Sequence, residues 1–259
     1  MKLYSITKFS ALVPLLFLIT ACATNHQSAE NNLDTSVNDP YEEMNRKIFA
    51  FNQSFDRAIL RPISSGYKAV LPKPAQDGVS NAMRNLREPW VFVNDILQFK
   101  FKRAATTLTR FVMNTTVGLA GLFKASDGIG IPYHSEDLGQ TLAVWGIGDG
   151  AYWVVPFLGP SNGRDFAGLG ASFFLDPVTY TLGQENETTL NYIRTGVDVL
   201  DARVRVHEAL DGLYAEDDPY VVFRSLYLQN RRFEIHDGNP PANQEEEDFF
   251  DSLEDDDLN

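Results

Sequence analysis

One short run of the chain holds residue types that catalyse hydrolysis in other proteins. The run PYHSEDLG places His134, Ser135, Glu136 and Asp137 side by side. A nucleophile, its base and the group that orients the base meet across a fold, so neighbours in sequence seldom form a triad. We therefore interpret the run as a capping or turn cluster and predict that the chain is not an enzyme.

Metal, nucleotide and nucleic-acid chemistry have no clear motif in this sequence. The four histidines are scattered without the spacing of metal ligands: His26, His134, His207 and His236. The run Gly146-Ile147-Gly148-Asp149-Gly150 superficially resembles a phosphate loop, but it is neither GxGxxG after a βαβ strand nor GxxxxGK[ST]. No cluster of basic residues suits a nucleic acid. We expect no metal, no cofactor and no nucleic-acid partner.

The lone cysteine, Cys22, ends a segment with the layout of a secretory signal. Two lysines precede an apolar run, residues 11–20, which is shorter than the roughly 20 residues that span a bilayer. Ile19-Thr20-Ala21-Cys22 resembles the bacterial lipobox, in which the signal is cut before a cysteine that becomes lipidated. An ordinary signal with an incidental thiol is the alternative. We predict a lipoprotein signal over residues 1–21, lipidation at Cys22 and a flexible tether over residues 22–38.

The C-terminal segment, residues 237–259, carries ten acidic residues and no Lys or Arg. Without this tail and the two signal lysines, the net charge of −13 becomes −5 for residues 22–236. Acidic segments with few apolar residues are usually disordered. The tail is therefore predicted to be disordered, either as a solubilising segment or as a docking arm.

The body of the chain, residues 39–236, has mostly helical periodicity. Apolar residues at steps of three and four share one face of a first helix: Met44, Ile48, Phe51, Phe55 and Ile59. Pro62 is predicted to end this helix. A second helical stretch is predicted to pause at Glu88-Pro89 and to continue to Thr115, and two further helical runs lie near the C-terminus. The fold class is mainly α.

A glycine-rich segment interrupts the helical pattern between Gly118 and Gly183. It contains thirteen of the eighteen glycines of the chain. Glycine permits left-handed backbone and close backbone approach, so we predict tight loops and short helices here. Within this segment, Arg164-Asp165 is interpreted as a helix start or a salt-bridge pair.

Several long motifs resemble one family, in order and over nearly the whole body. They are DPYEEMNRKIFAFNQSFDRAILRP, NLREPWVFVNDILQ, RFVMNTTVGLAGLFKASDGIGIP, DLGQTLAVWGIGDGAYWVVPFLGPSNGRDFAG and DPVTY. The sequence is similar to the MlaA family, also called VacJ or phospholipid-binding lipoproteins. The resemblance implies an outer-membrane lipoprotein that removes mislocalised phospholipids from the outer leaflet. It also implies delivery to a periplasmic carrier of the Mla type, association with trimeric porins and maintenance of lipid asymmetry.

The fold implied by the resemblance is a ring of amphipathic helices lying in the plane of the inner leaflet around a central channel. Phenylalanines are candidates for the lipid-facing belt, with packing in an ordinary core as the alternative: Phe49, Phe51, Phe55, Phe99, Phe101 and Phe111. Lys100, Lys102 and Arg103 are candidates to meet lipid phosphates or to form a solvated face.

The channel wall and its hinge are expected in the glycine-rich segment, over residues 139–150 and 159–165. The candidate residues are Gly139, Gly146, Gly148, Gly150, Gly159 and Asp165. One departure from the family pattern is Phe99, which stands where a glycine is expected after Leu97-Gln98. The rival hypotheses are a non-transporting outer-membrane scaffold associated with porins and, more weakly, a lipase.

Overall fold

The structure is a computed structural model that describes residues 37–184 and 188–241. The predicted signal, the lipidation site at Cys22 and almost all of the predicted tether lie outside these ranges. The same is true of residues 242–259 of the acidic tail. From Asn38 onward the described residues belong to one unit.

Ten α-helices and one β-hairpin make up the described residues. The N-terminal half holds α1 (Glu42–Phe55), α2 (Arg61–Val70), α3 (Lys73–Leu97) and α4 (Phe101–Thr116). Then follow a 3₁₀ turn (Asp127–Ile129), α5 (Leu138–Val144), β1 (Tyr152–Val155) and β2 (Gly159–Asn162). The C-terminal half holds α6 (Gly163–Leu175), α7 (Pro177–Gln184), α8 (Thr188–Arg205), α9 (His207–Leu213) and α10 (Pro219–Ile235). The predicted mainly α class is confirmed, and no helix within these residues has the length and apolarity needed to cross a bilayer.

Both predicted proline breaks are wrong. The chain stays helical from α1 into α2 through a π turn, Asp56–Leu60, and Pro62 lies in the first turn of α2, where its missing N–H costs little. Pro89 lies inside α3. The two halves of α3 are both held against α4 by buried polar pairs, and these contacts outweigh the single backbone bond that the proline removes.

The break predicted near Pro89 falls instead at Phe99. Lys100 N–H donates to the Asp95 carbonyl at 2.9 Å and Phe99 N–H donates to the Ile96 carbonyl at 3.0 Å, which is the Schellman arrangement. Phe99 therefore has a φ of 59°, a left-handed conformation that glycine adopts readily and that Cβ disfavours. Gly146 occupies the equivalent position after α5, with Ile147 N–H on the Leu142 carbonyl. The same turn is thus built once with glycine and once with phenylalanine.

Replacing Phe99 by glycine is expected to stabilise the protein by about 0.5–1 kcal/mol. The left-handed strain of about 1–2 kcal/mol disappears, and the greater freedom of glycine in the unfolded chain cancels part of the gain. Phe101→Gly is the matched control, since it loses the same Phe99–Phe101 ring contact but puts glycine at a right-handed helical position, the first residue of α4. In thermal unfolding, Phe99→Gly should raise Tm and Phe101→Gly should lower it. A lower Tm for both would show that the turn carries no strain.

The hairpin was not predicted by the helical and loop pattern. Its strands pair antiparallel with Tyr152 opposite Asn162 and Val155 opposite Gly159. The free edge of β1 is bonded by asparagines two helical turns apart on α1. Asn45 joins the Tyr152 carbonyl and the Val154 N–H, and Asn52 joins the Val155 carbonyl and the Phe157 N–H. These side chains act as a substitute strand and hold the hairpin against α1.

The apolar core is small and lies beneath this hairpin. Tyr152, Val154 and Tyr220 are fully buried there, and partly buried apolar residues pack around them: Ile48, Phe49, Val221 and Tyr227. Phe49 makes edge-on ring contacts with Tyr220 and Phe223. Most of the buried surface elsewhere in the described residues is polar.

Candidate functional site

In an ordinary water-soluble domain most buried side chains are apolar and most large apolar side chains are buried. In this protein that distribution is reversed. Among the described residues, six apolar side chains are buried, against twenty-three polar or charged ones. Large apolar side chains stand exposed along nearly every helix, with Val70, Phe99 and Phe174 each at least 75% exposed. Buried polar groups are costly unless paired, and extensive exposed apolar surface marks an interaction surface. The molecule has a polar interior and an apolar outside.

The helix pair α3–α4 illustrates how the polar interior is built. Three pairs join the antiparallel helices: Asn85 with Thr115 at 2.9 Å, Glu88 with Arg110, and Asp95 with Thr107 at 2.6 Å. Arg110 and Glu88 are each 1% exposed and form a two-pronged pair, with N–O distances of 2.6 and 2.5 Å. Burial raises the pKa of Glu88 even though the guanidinium opposes the shift. On the opposite face of α4, apolar residues are exposed: Phe101, Leu108 and Val112.

The PYHSEDLG run contains a helix cap, as predicted, and also ion pairs that were not predicted. Asp137 caps α5 by accepting from the Gln140 N–H at 2.9 Å. Buried Glu136 accepts from Gln98 and Arg103, and burial raises its pKa. His134 lies 3.2 Å from Asp95.

The fold brings Asp95, His134 and Glu136 together, with candidate ligand atoms within 4.8 Å of one another, although the spacing of the histidines in sequence gave no such signal. These atoms already bond to protein groups. His134 and Asp95 both contact the Thr107 hydroxyl, and Arg103 donates to Glu136. A cation would have to displace these bonds.

An amphipathic cavity of about 470 Å³ lies among α3, the 133–137 segment, α5, β2, α6 and α10. Its apolar lining includes Trp90, Val91, Leu138 and Leu169. Its charged lining includes Arg87, Glu136, Asp137, Asp165 and Arg231. This combination suits a ligand with both an apolar and a charged part.

Arg231 of α10 organises the charged wall of the amphipathic cavity. Its guanidinium donates twice to Asp137, at 2.6 Å each, and lies 2.7 Å from Asp165. Tyr227, one turn earlier, donates to Asp165 at 2.6 Å, and burial together with this bond raises the pKa of Tyr227. Burial opposes ionisation of Asp137, but the hydrogen bonds and charge of Arg231 outweigh it and lower the pKa of Asp137. These four residues are called the Arg231 cluster below.

Gly139 is required for the packing of the Arg231 cluster. A Cβ at this position would lie closer than 3.0 Å to both the Arg231 guanidinium and the Asp165 carboxylate. Gly168 of α6 is equally tight, because a Cβ there would meet the backbone of Gly139. The two glycines let α5 and α6 approach at the base of the cluster. Sequence reasoning named Gly139 and missed Gly168, although an isolated glycine within a helical pattern is a signal for close packing.

A second cavity, of about 510 Å³, lies on the other side of Arg231 and is called the glycine cavity. Gly146, Gly148, Asp149 and Arg164 contribute to its lining, and Arg231 lines both cavities. Arg164 pairs with Asp149 and with Asp165, and Asn162 caps α6 by accepting from the Asp165 N–H, so both interpretations of Arg164-Asp165 are confirmed. Arg231 therefore borders both the amphipathic cavity and the glycine cavity.

The six predicted channel and hinge residues lie at different places around the Arg231 cluster and the two cavities. Asp165 lines the amphipathic cavity, Gly139 underlies the cluster, and Gly146 and Gly148 line the glycine cavity. Gly150 and Gly159 have left-handed backbone beside the hairpin, where β1 and β2 begin, and neither is in the lining of these two cavities. The residue that joins the two cavities, Arg231, was not singled out, because an arginine in an amphipathic helix usually faces water.

The six phenylalanines proposed for a lipid-facing belt divide into two sets. Phe51, Phe99 and Phe101 are exposed, whereas Phe49, Phe55 and Phe111 are half-buried. Lys100 and Arg103, proposed to meet lipid phosphates, instead pair with Glu136 and Asp237. The positive charges of Lys100 and Arg103 are therefore balanced by carboxylates of the protein itself.

Together, the exposed apolar faces, the polar interior and the cavities define a helical protein whose outer surface suits lipid and whose interior suits polar groups. The comparisons with known proteins agree. The MlaA lipoprotein family matches residues 37–234. The chain is 30% identical to "Intermembrane phospholipid transport system lipoprotein MlaA" of Escherichia coli K12, over 96% of this chain and 97% of the relative. The protein of the same name from Haemophilus influenzae is 30% identical, over 90% and 91%.

A solved structure described as "Structural basis for maintenance of bacterial outer membrane lipid asymmetry" is similar to this fold with a TM-score of 0.68. The two chains are 29% identical, and the match covers 76% of this chain and 98% of the other. The chain belongs to the MlaA lipoprotein family.

Proposed function

We propose that this chain transports phospholipids between membranes. It removes phospholipids mislocalised to the outer leaflet of the outer membrane, moves them through a polar interior and passes them to a periplasmic carrier of the Mla type. Outer-membrane lipid asymmetry is thereby maintained. The names of the relatives and of the similar structure support this proposal. The observation in the molecule that carries it is the apolar outside around a polar interior.

In our proposal the helices lie in the plane of one leaflet, and their exposed apolar faces support this arrangement. Helices such as α4 bury a stripe of polar residues and expose Leu108 and Val112, so lipid chains would satisfy the outer face. Non-helical backbone at membrane depth is tolerated where it is buried or lines a wet cavity. The hairpin and the glycine-rich turns meet this requirement in our proposal, since they lie around the two cavities and complete a ring about a central channel.

The route of the lipid head group in this proposal runs from the amphipathic cavity past the Arg231 cluster to the glycine cavity. Arg231 lines both spaces, and its carboxylate partners hold it between them. The acyl chains remain against apolar surface such as Trp90 and Leu169. Movement of the cluster would open the route, with the glycine turns that follow α5 as hinges.

Lipidation at Cys22 would add a second attachment, at the periplasmic leaflet of the outer membrane. Trimeric porins are the proposed neighbours in the membrane. No bond is made or broken in this mechanism, and the protein is proposed not to be an enzyme. Among the described residues, Ser64 lies 3.3 Å from His207, and Asp211 lies 4.0 Å from the other nitrogen of that imidazole, an arrangement similar to a hydrolytic triad. Ser64 is fully buried and donates to the Arg61 carbonyl, and Arg203 crowds the same histidine nitrogen, so the serine has no access to a substrate.

Blocking the amphipathic cavity should stop lipid transfer. Leu169→Trp fills the cavity from a half-exposed position, whereas Leu226→Trp is an equally exposed control outside that lining. The full chain, reconstituted in vesicles with fluorescent phospholipid, is mixed with a soluble carrier of the Mla type, and label transferred to the carrier is measured. Wild type and Leu226→Trp should transfer lipid, and Leu169→Trp should transfer several-fold less.

The alternative, a scaffold that binds porins without transporting lipid, predicts no transfer by the wild type. Equal transfer by all three proteins would support transport but would show that the lipid does not pass through the amphipathic cavity. Release of free fatty acid would indicate a lipase.

A further inference from the structure

A third cavity, of about 650 Å³, lies along the N-terminal half of α3, whereas the amphipathic cavity lies along its C-terminal half. It is formed by the end of α2, the first turns of α3, Lys124, the end of α8 and the start of α9. Five basic side chains line it, and the acidic residues of its lining are Asp77, Asp201 and Glu208. The lining therefore has a net charge of about +2 with histidine neutral, although the body of the chain is acidic. It is called the basic cavity below.

Three of the five basic residues have partners within the lining. Lys73 pairs with Asp77 at 2.8 Å, Arg205 with Asp201 at 3.3 Å and Lys68 with Glu208 at 3.5 Å, which is a set of one-to-one pairs. These pairs use all three acidic residues of the lining. The excess positive charge thus rests on Arg84 and Lys124.

Arg84 is the centre of this unneutralised charge. Within the described part of the chain, no carboxylate lies within ion-pair distance of it. Its Nε–H is buried without a hydrogen-bond partner, and its guanidinium stacks on the Tyr133 ring at 5.3 Å. Lys124 has only a loose contact, 3.9 Å from Asp127. A planar guanidinium held by an aromatic ring, with a lysine beside it, is suited to the oxygens of a phosphate group.

Three exposed apolar residues lie close in sequence to residues that line the basic cavity. Val70, Phe123 and Val206 follow or precede cavity-lining residues by one or two positions, and each is 47% exposed or more. Apolar contacts of this kind would not stabilise a small, fully water-soluble anion. Basic pockets beside exposed apolar residues are typical of lipid head-group sites.

We propose that the basic cavity binds the phosphate group of a phospholipid, with Arg84 and Lys124 as its ligands. The acyl chains of that lipid lie against Val70, Phe123 and Val206. This inference rests on the proposed transport function for the identity of the ligand. It assigns a head-group site beside the N-terminal half of α3, and this site shares no lining residue with the amphipathic cavity.

Binding to the purified full chain is measured by calorimetry with three probes. They are a short-chain phosphatidylglycerol, inorganic phosphate and a short-chain diacylglycerol without phosphate. Wild type should bind the phosphatidylglycerol more tightly than either other probe. Arg84→Gln should weaken this binding at least about tenfold, the loss expected when a charged hydrogen-bond donor is removed. Arg84→Lys, which keeps the charge, should recover part of it.

Arg57→Gln is the matched control, because Arg57 also stacks on a tyrosine, Tyr214 at 5.5 Å, but lies outside the basic cavity. It should bind like wild type. Equal binding by Arg84→Gln and wild type would overturn the site, as would binding of inorganic phosphate alone. Failure of the wild type to transfer any phospholipid to the carrier would instead overturn the proposed function, so the two failures are distinguishable.

Discussion

Replacing Arg110 by methionine is expected to destabilise the protein by about 3–5 kcal/mol at neutral pH, because the buried Glu88 carboxylate loses its only ion-pair partner among the described residues. For a domain of about 200 residues this is a fall in Tm of roughly 10 °C. Arg110 also donates to the Pro132 carbonyl at 2.7 Å, so the start of the PYHSEDLG run loses an anchor.

The loss should depend on pH in a defined direction. The pKa of Glu88 is raised in the folded protein, and removal of the guanidinium that opposes this shift raises it further. A carboxyl with a raised folded pKa contributes stability that is present below its unfolded pKa, near 4.5, and is lost as pH rises through its folded pKa. Arg110→Met should therefore be far less stable than wild type at pH 8 and approach it near pH 5.

Two further variants separate charge from packing. Glu88→Gln combined with Arg110→Met should recover much of the lost stability, since no unpaired charge remains buried. Lys47→Met removes the charge of an exposed pair with Glu43 and should change Tm very little. A loss for Arg110→Met that is the same at both pH values, or no recovery in the double variant, would contradict the role given to this pair.

Replacing Gly139 by alanine is expected to cost about 2 kcal/mol or more and to impair lipid transfer. The added methyl group would overlap both the Arg231 guanidinium and the Asp165 carboxylate, neither of which is free to move without breaking buried ion pairs. Thermal unfolding and the carrier-transfer assay measure the two effects.

Gly170→Ala is the matched control, since Gly170 also lies in a helix but has open space around its Cβ position. Alanine there should be neutral or stabilising by up to about 1 kcal/mol, through its better helix propensity. Gly148→Ala, in open space at the edge of the glycine cavity, should be nearly neutral. If Gly139→Ala behaved like these two, the tight packing of the Arg231 cluster would be wrong.

The sequence predicted the helices and the family better than it predicted which side of each helix is buried. Met44, Phe51 and Ile59 were correctly placed on one helical face, but periodicity is the same whether an apolar face meets a core or lipid, and here all three are exposed. The positions that pair in the interior, such as Glu88 with Arg110, are 22 residues apart and carry no local signal. Only the fold brings them together.

Local rules failed where tertiary contacts or turn chemistry overrode them. Pro62 and Pro89 read as breaks, yet a π turn and buried polar pairs keep the chain helical at both. The hairpin could not be predicted because its glycines are typical of loops. In addition, its edge is bonded by the side chains of Asn45 and Asn52 and not by a third strand that the sequence would reveal. At Phe99 the sequence analysis expected a glycine, and the left-handed turn there is a conformation that glycine adopts more readily than phenylalanine.

The most direct test of the account is whether the exposed apolar surface lies in lipid. Trp145 is 53% exposed at the end of α5, and a variant with Trp90→Phe and Trp153→Phe leaves it as the single tryptophan. The protein is reconstituted in vesicles of phospholipid brominated at mid-chain, and Trp145 fluorescence is compared with that in unbrominated vesicles. The account predicts strong quenching by the brominated chains and protection from aqueous acrylamide. Quenching by acrylamide with no effect of bromination would contradict it.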